Sequence, residues 1–88
     1  MKGNIEPEQL EQARLTVGAW LKEKRTERGL SQSALARMMG IDQATINKIE
    51  VGKWAITIDM LALFCEHLEY PITDLFKLSN ENDQLHTA

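Results

Sequence analysis

The sequence predicts an all-α fold of five helices in one domain, and three observations lead to this expectation. Its 88 residues are enough for one small hydrophobic core. Apolar residues recur at the spacing of amphipathic helices, and no segment alternates as a strand does. Residues that start or stop helices then divide this pattern into segments of helical length, notably at Gly29, Ser31, Gly40, Asp42 and Thr57.

The first predicted helix spans roughly residues 7–28. Pro7 suits the first turn of a helix, and the apolar pattern stops at Gly29. The positions expected to face inward are Leu10, Ala13, Val17 and either Trp20 or Leu21.

Two short helices are predicted next, at about 32–39 and 43–50, with a tight turn between them. Ser31 is the expected N-cap of the first, and Gly40 ends it because glycine adopts positive φ at little cost. Asp42 is expected to cap the second. The residues predicted to face inward are Leu35, Ala36, Ile41, Ile46 and Ile49.

Thr57 is the expected N-cap of a fourth helix, which Tyr70 and Pro71 would end before a short fifth helix. Residues 79–88 show no periodicity and are predicted to be a disordered tail. The inward positions of the last two helices are Leu61, Phe64, Cys65, Leu68, Ile72, Leu75 and Phe76.

The charge is unevenly distributed along the chain, whose net charge is −3. Residues 22–53 hold seven basic and four acidic side chains, whereas residues 54–88 hold one basic and six acidic side chains. The two short central helices therefore lie in the only positive segment. Because the local field governs an encounter with an anion, the net charge does not exclude a nucleic-acid partner.

The composition argues against several classes of protein. No apolar run approaches the roughly 20 residues of a membrane span, and the N-terminus carries no secretion signal. The single cysteine, Cys65, is expected to be a reduced core thiol, which favours a cytoplasmic protein. No cysteine–histidine, metal-ligand or glycine-rich phosphate motif is present, so we expect neither an enzyme nor a cofactor nor a metal site.

Four short motifs occur in a fixed order: R-x-x-x-G-L-S-Q at 25–32, L-A-x-x-M-G-I at 35–41, I-x-x-I-E-x-G at 46–52 and P-I-T-D-L-F at 71–76. On these motifs the chain resembles the Cro/repressor-type (Xre-like) family of helix-turn-helix DNA-binding domains, of bacterial or phage type. The resemblance implies a five-helix, lambda-repressor-like domain with a helix-turn-helix and an extended N-terminal helix. It divides the chain into an N-terminal helical extension at 1–16, a DNA-binding domain at 17–78 and the tail at 79–88.

By this resemblance the third helix would enter the major groove of double-stranded DNA. Gln43 is the strongest candidate base reader, because a glutamine amide can pair with two positions of adenine. Asn47 and Lys48 would read bases or contact a phosphate, whereas Ala44 could touch only a thymine methyl group. Contacts with the DNA backbone are implied for Gln32 and Lys53, and Thr45 would reach a phosphate or a methyl group. The alternative interpretation of these residues is an ordinary solvated helix surface.

The resemblance also implies a structural ion pair between Arg25 and Glu50, which would tie the first helix to the end of the third. Trp54 lies in a loop that usually carries basic residues in this family. Three interpretations of this residue remain open, namely a core residue, a wedge against DNA and a dimer contact. An unexpected apolar stripe on the fourth helix predicts a dimer interface of Trp54, Met60, Leu63 and His67. The alternative is that this stripe packs against the first helix of the same chain.

The leading hypothesis is a sequence-specific transcriptional regulator, expected to be a repressor, that binds DNA as a homodimer. The second is an antitoxin-like or other protein-interaction module with weak DNA binding, in which the N-terminal extension or the tail would hold a protein partner. No membrane partner is expected. The sparse basic loop favours low non-specific affinity in either case.

Overall fold

The computed structural model describes residues 6–75. A fifth helix, α5, begins at Thr73 and is described as far as Leu75. No strand occurs in residues 6–75, and the predicted all-α fold with five helices is confirmed. Phe76 and the predicted disordered tail lie outside the described residues. The first four helices are α1 (Pro7–Glu27), α2 (Gln32–Met39), α3 (Gln43–Glu50) and α4 (Ile58–Leu68).

The helices begin and end where local chemistry favours it. Ser31 Oγ accepts from the Ala34 amide at 3.0 Å to start α2, and Thr57 Oγ1 starts α4 in the same way. Gly40 ends α2 with a φ of 71°. Asp42 occupies the N-cap position of α3, but its side chain makes no capping hydrogen bond, so the prediction that it caps this helix is wrong in that respect.

The core lies where the four helices meet. Phe64, Leu21, Leu35, Ile46 and Leu68 are its largest fully buried side chains, and α1, α2, α3 and α4 all contribute. Trp20, Cys65 and Leu75 are also buried. Burial raises the pKa of the Cys65 thiol, which keeps this group protonated.

The first turns of α1 extend past this core. Leu10 and Ala13 are exposed, so the prediction that they face inward is wrong, whereas Val17 is half-buried against the core. The physical reason is that α3 ends before it reaches them, and only the loop after α3 lies beside this part of α1. The predicted division between residues 16 and 17 falls inside α1, which is one continuous helix.

Gly18 of α1 lies directly against the C-terminal end of α3. A Cβ atom at this position would lie 2.6 Å from the Glu50 carbonyl oxygen and would also meet the Ile49 carbonyl oxygen. Four residues earlier, Arg14 Nε donates to the Gly52 carbonyl oxygen at 3.1 Å. The N-terminal helix therefore holds the C-terminal end of α3 and the start of the following loop.

A second set of contacts joins α1 to the end of α4. Arg28 Nε donates to the Leu68 carbonyl oxygen at 2.6 Å, where Glu69 ends the helix with a φ of 62°. The Tyr70 hydroxyl donates to Glu27 Oε1 at 2.5 Å. This bond lowers the pKa of the Glu27 carboxyl and raises the pKa of the Tyr70 hydroxyl.

No helix in the described part of the chain is both long and apolar enough to cross a membrane.

Candidate nucleic-acid interface

The α2–turn–α3 segment presents one exposed helix face. Ile46 and Ile49 bury the inner face of α3. The predicted readers at positions 43, 44, 47 and 48 are all exposed, and this spacing places them on one side of the helix. Thr45 is half-buried, so it stands at the edge of this face. The structure thus brings together Gln43, Ala44, Asn47 and Lys48.

Behind this face, Arg25 and Glu50 form a buried ion pair. Arg25 Nε and Nη2 donate to the two carboxylate oxygens of Glu50 at 2.6 and 2.9 Å. Arg25 Nη1 also donates to the Leu30 carbonyl oxygen at 2.7 Å. The arginine of α1 is therefore fixed to the end of α3 and to the segment that leads into α2.

Glu50 connects this ion pair to the two glutamines at the surface. Gln32 Nε2 donates to Glu50 Oε1 at 2.9 Å, and Gln43 Nε2 donates to Gln32 Oε1 at 3.1 Å. A carboxylate can only accept, so it selects the amide orientation in which Gln32 turns its nitrogen inward and its oxygen towards Gln43. The Gln32 oxygen also can only accept, so the Gln43 amide turns its nitrogen towards Gln32.

This hydrogen-bonded chain leaves part of the Gln43 amide free. One N–H is used by Gln32, and Ser33 Oγ lies 3.4 Å from Gln43 Oε1. One N–H and one oxygen lone pair remain, side by side at the exposed start of α3. Chemically, this is a paired donor and acceptor held in one orientation.

Sequence reasoning treated Gln32 only as a phosphate contact and missed its bonds to Glu50 and Gln43. The available signal was positional, because Gln32 and Gln43 are each the first residue of a helix in this pair. Sequence reasoning also missed Arg14 and Gly18, whose partners are backbone oxygens at the end of α3. Backbone partners leave no trace in a side-chain pattern.

The loop after α3 carries Lys53 and Trp54, both exposed. Trp54 is 46% exposed, so the interpretation of this residue as part of the core is wrong. Its loop stays outside the helical bundle, and Ile56 packs against the core instead. The Lys48 ammonium lies 4.6 Å from the centre of the Trp54 ring, within the range of a cation–π interaction.

The stripe on α4 is only partly exposed. Met60 packs against the core, whereas Leu63 is 47% exposed. His67 is half-buried, with Nδ1 2.9 Å from the Leu63 carbonyl oxygen. The α1 helix does not cover Leu63, so the alternative in which the stripe packs against α1 of the same chain is wrong for this residue.

In residues 6–75, no cluster of histidine, cysteine, aspartate and glutamate is arranged to hold a metal ion.

Comparison with known proteins relates this geometry to described families. Residues 21–75, which include all of α2, α3 and α4, match the model of the HTH_3 helix-turn-helix family. The HTH-type transcriptional regulator PrpR of Mycobacterium tuberculosis is 32% identical over 68 residues. The match covers 77% of this chain and 14% of PrpR, so the chain spans about one seventh of that relative.

Two solved structures share the fold. The restriction-modification controller protein C.AhdI from Aeromonas hydrophila superimposes with a TM-score of 0.69 at 26% identity, over 73% of this chain and 97% of C.AhdI. An HTH_3 family transcriptional regulator from Vibrio cholerae superimposes with a TM-score of 0.73 at 28% identity, over 82% of this chain and 40% of that chain. The proteins that this chain resembles are described as transcriptional regulators or as a controller protein, which supports the prediction that this chain is not an enzyme.

Proposed function

Because this chain belongs to the HTH_3 family of helix-turn-helix transcriptional regulators, we propose that it binds DNA sequence-specifically and represses transcription as a cytoplasmic homodimer. Repression requires only that a promoter be occupied, and occupancy is what an exposed recognition helix supplies. Two-fold symmetry of the protein would match a pseudo-palindromic site with half-sites about 34 Å apart.

The observation that carries this proposal is the oriented amide of Gln43. Its free N–H and free lone pair match adenine, which offers an acceptor at N7 and a donor at N6 in the major groove. The hydrogen bond to Gln32 fixes this amide before DNA arrives. Less rotamer freedom is therefore lost on binding, and the inverted donor–acceptor order is disfavoured.

The neighbouring residues would complete the contact with DNA. Asn47 follows Gln43 by one helical turn and would read the next bases, while Ala44 would touch a thymine methyl group. Gln32 keeps a second N–H at the start of α2, where it would donate to a phosphate together with the first backbone amides. Lys53 and Thr45 would contact the phosphates at the two edges of the α3 surface.

Base reading is tested by selecting preferred duplexes and measuring binding to single-base variants of them. Gln43→Ala should cost about 1–3 kcal/mol of discrimination at one adenine per half-site. Gln12→Ala, an exposed glutamine of α1, is the matched control and should leave discrimination unchanged. Failure of the parent protein to prefer any selected duplex over random DNA at low salt would refute sequence-specific binding.

For the dimer, we propose an interface centred on the exposed face of α4. Leu63 is 47% exposed, and exposed apolar surface of this kind favours a partner. Met60 and His67 lie beside it on the same face of α4, three residues before it and four residues after it. Leu63→Glu should convert a sedimenting dimer to a folded monomer, whereas Leu10→Glu on α1 should not. A parent protein that is monomeric at tens of micromolar would contradict the proposal.

One observation favours a second candidate, a protein-interaction module with weak DNA binding. A groove of about 220 Å³ runs between the start of α1 and the loop after α3. It is lined by Leu10, Ala13, Arg14, Val17, Trp54, Ala55 and Ile56. A partner helix could bury this apolar surface. The selection experiment separates the two candidates, because this module would show no preferred duplex.

A further inference from the structure

The cation–π contact between Lys48 and Trp54 joins the exposed face of α3 to the loop that follows it. Lys48 is exposed on α3, and its ammonium lies 4.6 Å from the Trp54 ring centre. Ion pairs within residues 6–75 join Lys24 to Glu27 and Arg25 to Glu50, and neither of these pairs includes Lys48. The ring is therefore the partner that directs this side chain.

Trp54 is itself held in place by backbone and side-chain contacts. Its amide donates to the Lys48 carbonyl oxygen at 3.3 Å, and the Lys53 amide donates to the same oxygen at 2.9 Å. The loop thereby folds back onto the last turn of α3. Trp54 also lines the groove beside Leu10 and Val17 of α1. The last turn of α3 thus positions the main chain of Trp54, and its ring lies beside α1.

This geometry draws the Lys48 ammonium towards the C-terminal end of α3. The residues that reach base edges are those at the N-terminal end of a recognition helix, where Gln43 lies. One side of the ammonium faces the ring, and the remaining N–H groups stay free to donate to an anion. A phosphate fits this arrangement, whereas a base edge deep in the groove would require Lys48 to leave the ring.

We propose that Trp54 is a positioning residue, which holds Lys48 as a phosphate contact beside Lys53 and withdraws it from base reading. The proposal rests on the DNA-binding function proposed above. Lys48 would then contact a phosphate and would not read a base. Trp54 would orient Lys48, and would be neither a wedge against DNA nor a dimer contact.

The positioning is testable without DNA. In the parent protein, the ring current of Trp54 should shift the Lys48 Hε resonances upfield. Trp54→Phe should retain part of this shift, and Trp54→Leu should abolish it. Hε resonances at ordinary positions in the parent protein would overturn the proposal. If Trp54→Leu sediments like the parent protein, Trp54 orients Lys48 without being a dimer contact. A changed oligomeric state would count against the proposal.

The consequence for binding is tested by a double-mutant cycle on selected and random duplexes. Trp54→Leu should weaken binding about two- to five-fold on every duplex alike, and Trp54→Phe should restore most of it. Lys48→Met should lower the salt slope by about one per subunit without relaxing any base preference. In the Lys48→Met background, Trp54→Leu should have little further effect, whereas its effect should persist in Lys53→Met.

Two results would overturn the inference while the proposed function stands. One is an equal effect of Trp54→Leu with and without the Lys48 ammonium, which would mean that the ring acts on DNA directly. The other is loss of discrimination at a single base pair in Lys48→Met, which would make Lys48 a base reader. If the parent protein prefers no duplex, the proposed sequence-specific function fails, whereas the salt slope on random DNA still tests the phosphate contact of Lys48.

Discussion

Glu50 accepts hydrogen bonds from two side chains with different tasks. Arg25 ties it to α1, and Gln32 ties it to the exposed glutamine of α3. A buried ion pair contributes little net stability, because desolvation offsets most of the attraction. Its value here lies in orientation. The Glu50 carboxylate accepts hydrogen bonds and cannot donate them, so it fixes the direction of the Gln32 amide and, through it, that of the Gln43 amide.

Removing the Glu50 carboxylate should therefore cost stability as well as orientation. Glu50→Ala leaves the buried guanidinium of Arg25 without its anion, which should cost about 3 kcal/mol or more. For a domain of this size, a loss of about 3 kcal/mol lowers the melting temperature by about 12–24 °C. Gln43→Ala changes an exposed side chain and should have an effect within about 0.5 kcal/mol. Equal losses in thermal melts of the two variants would contradict this account.

Gly18 makes a second prediction at a single residue. Alanine normally stabilises a helix by about 1 kcal/mol relative to glycine. Here the added methyl group would meet the carbonyl oxygens of Ile49 and Glu50, which are backbone atoms. Gly18→Ala should instead destabilise the protein by about 1–3 kcal/mol in urea unfolding. Thr16→Ala, on an exposed position of the same helix, serves as the control and should be neutral or stabilising.

At the scale of the helices, the sequence predicted most boundaries because caps and stops are local. Ser31, Gly40 and Thr57 act through neighbours within four residues, and α2, α3 and α4 begin and end as expected. The inward face of the first part of α1 was not predictable in this way. Whether Leu10 is covered depends on where α3 ends in space, and no local pattern carries that information.

The two left-handed helix ends differ in chemistry. Gly40 ends α2 with a φ of 71°, whereas Glu69 ends α4 with a φ of 62°. A residue with a Cβ atom pays about 1–2 kcal/mol for this conformation, and glycine does not. The contacts of Glu69 that hold α4 to Arg28 use its carbonyl oxygen, so they do not depend on the side chain.

Glu69→Gly should therefore stabilise the protein, by about 1 kcal/mol in urea unfolding. Glu66→Gly places the same substitution inside α4, at an exposed position, and should destabilise by about 1 kcal/mol. Opposite signs for the two variants would establish that the backbone conformation, and not the lost charge, is responsible. A loss of stability in both variants would disprove the argument.

At the scale of the whole molecule, residue types alone predicted only part of the candidate site. The exposed residues of α3 were predictable, because Ile46 and Ile49 define the buried side of a short helix. The bonds that orient Gln43 were not, since they join residues that lie 11 and 18 positions apart. The position of Trp54 beside Lys48 was equally unpredictable from the sequence, because it depends on a loop that folds back onto the end of α3.

The uneven charge of the molecule gives a last prediction, the salt dependence of DNA binding. Although residues 22–53 are positive, several of their cations are already engaged, as Arg25 is by Glu50 and Arg28 by the end of α4. If Lys48 and Lys53 are the cations that contact phosphates, a dimer releases few counterions, and log K should fall with log salt at a slope of about −3.5.

Replacing one of these lysines tests the assignment directly. Lys53→Met removes two of the four lysine–phosphate contacts of a dimer, so the slope should fall to about half. Lys22→Met makes the same change at an exposed position of α1 outside the proposed interface, and its slope should match that of the parent. The measurement is a titration of one selected duplex at several salt concentrations. A parent slope steeper than about −7 would require further cations at the interface, and the sparse basic loop would then no longer explain the affinity.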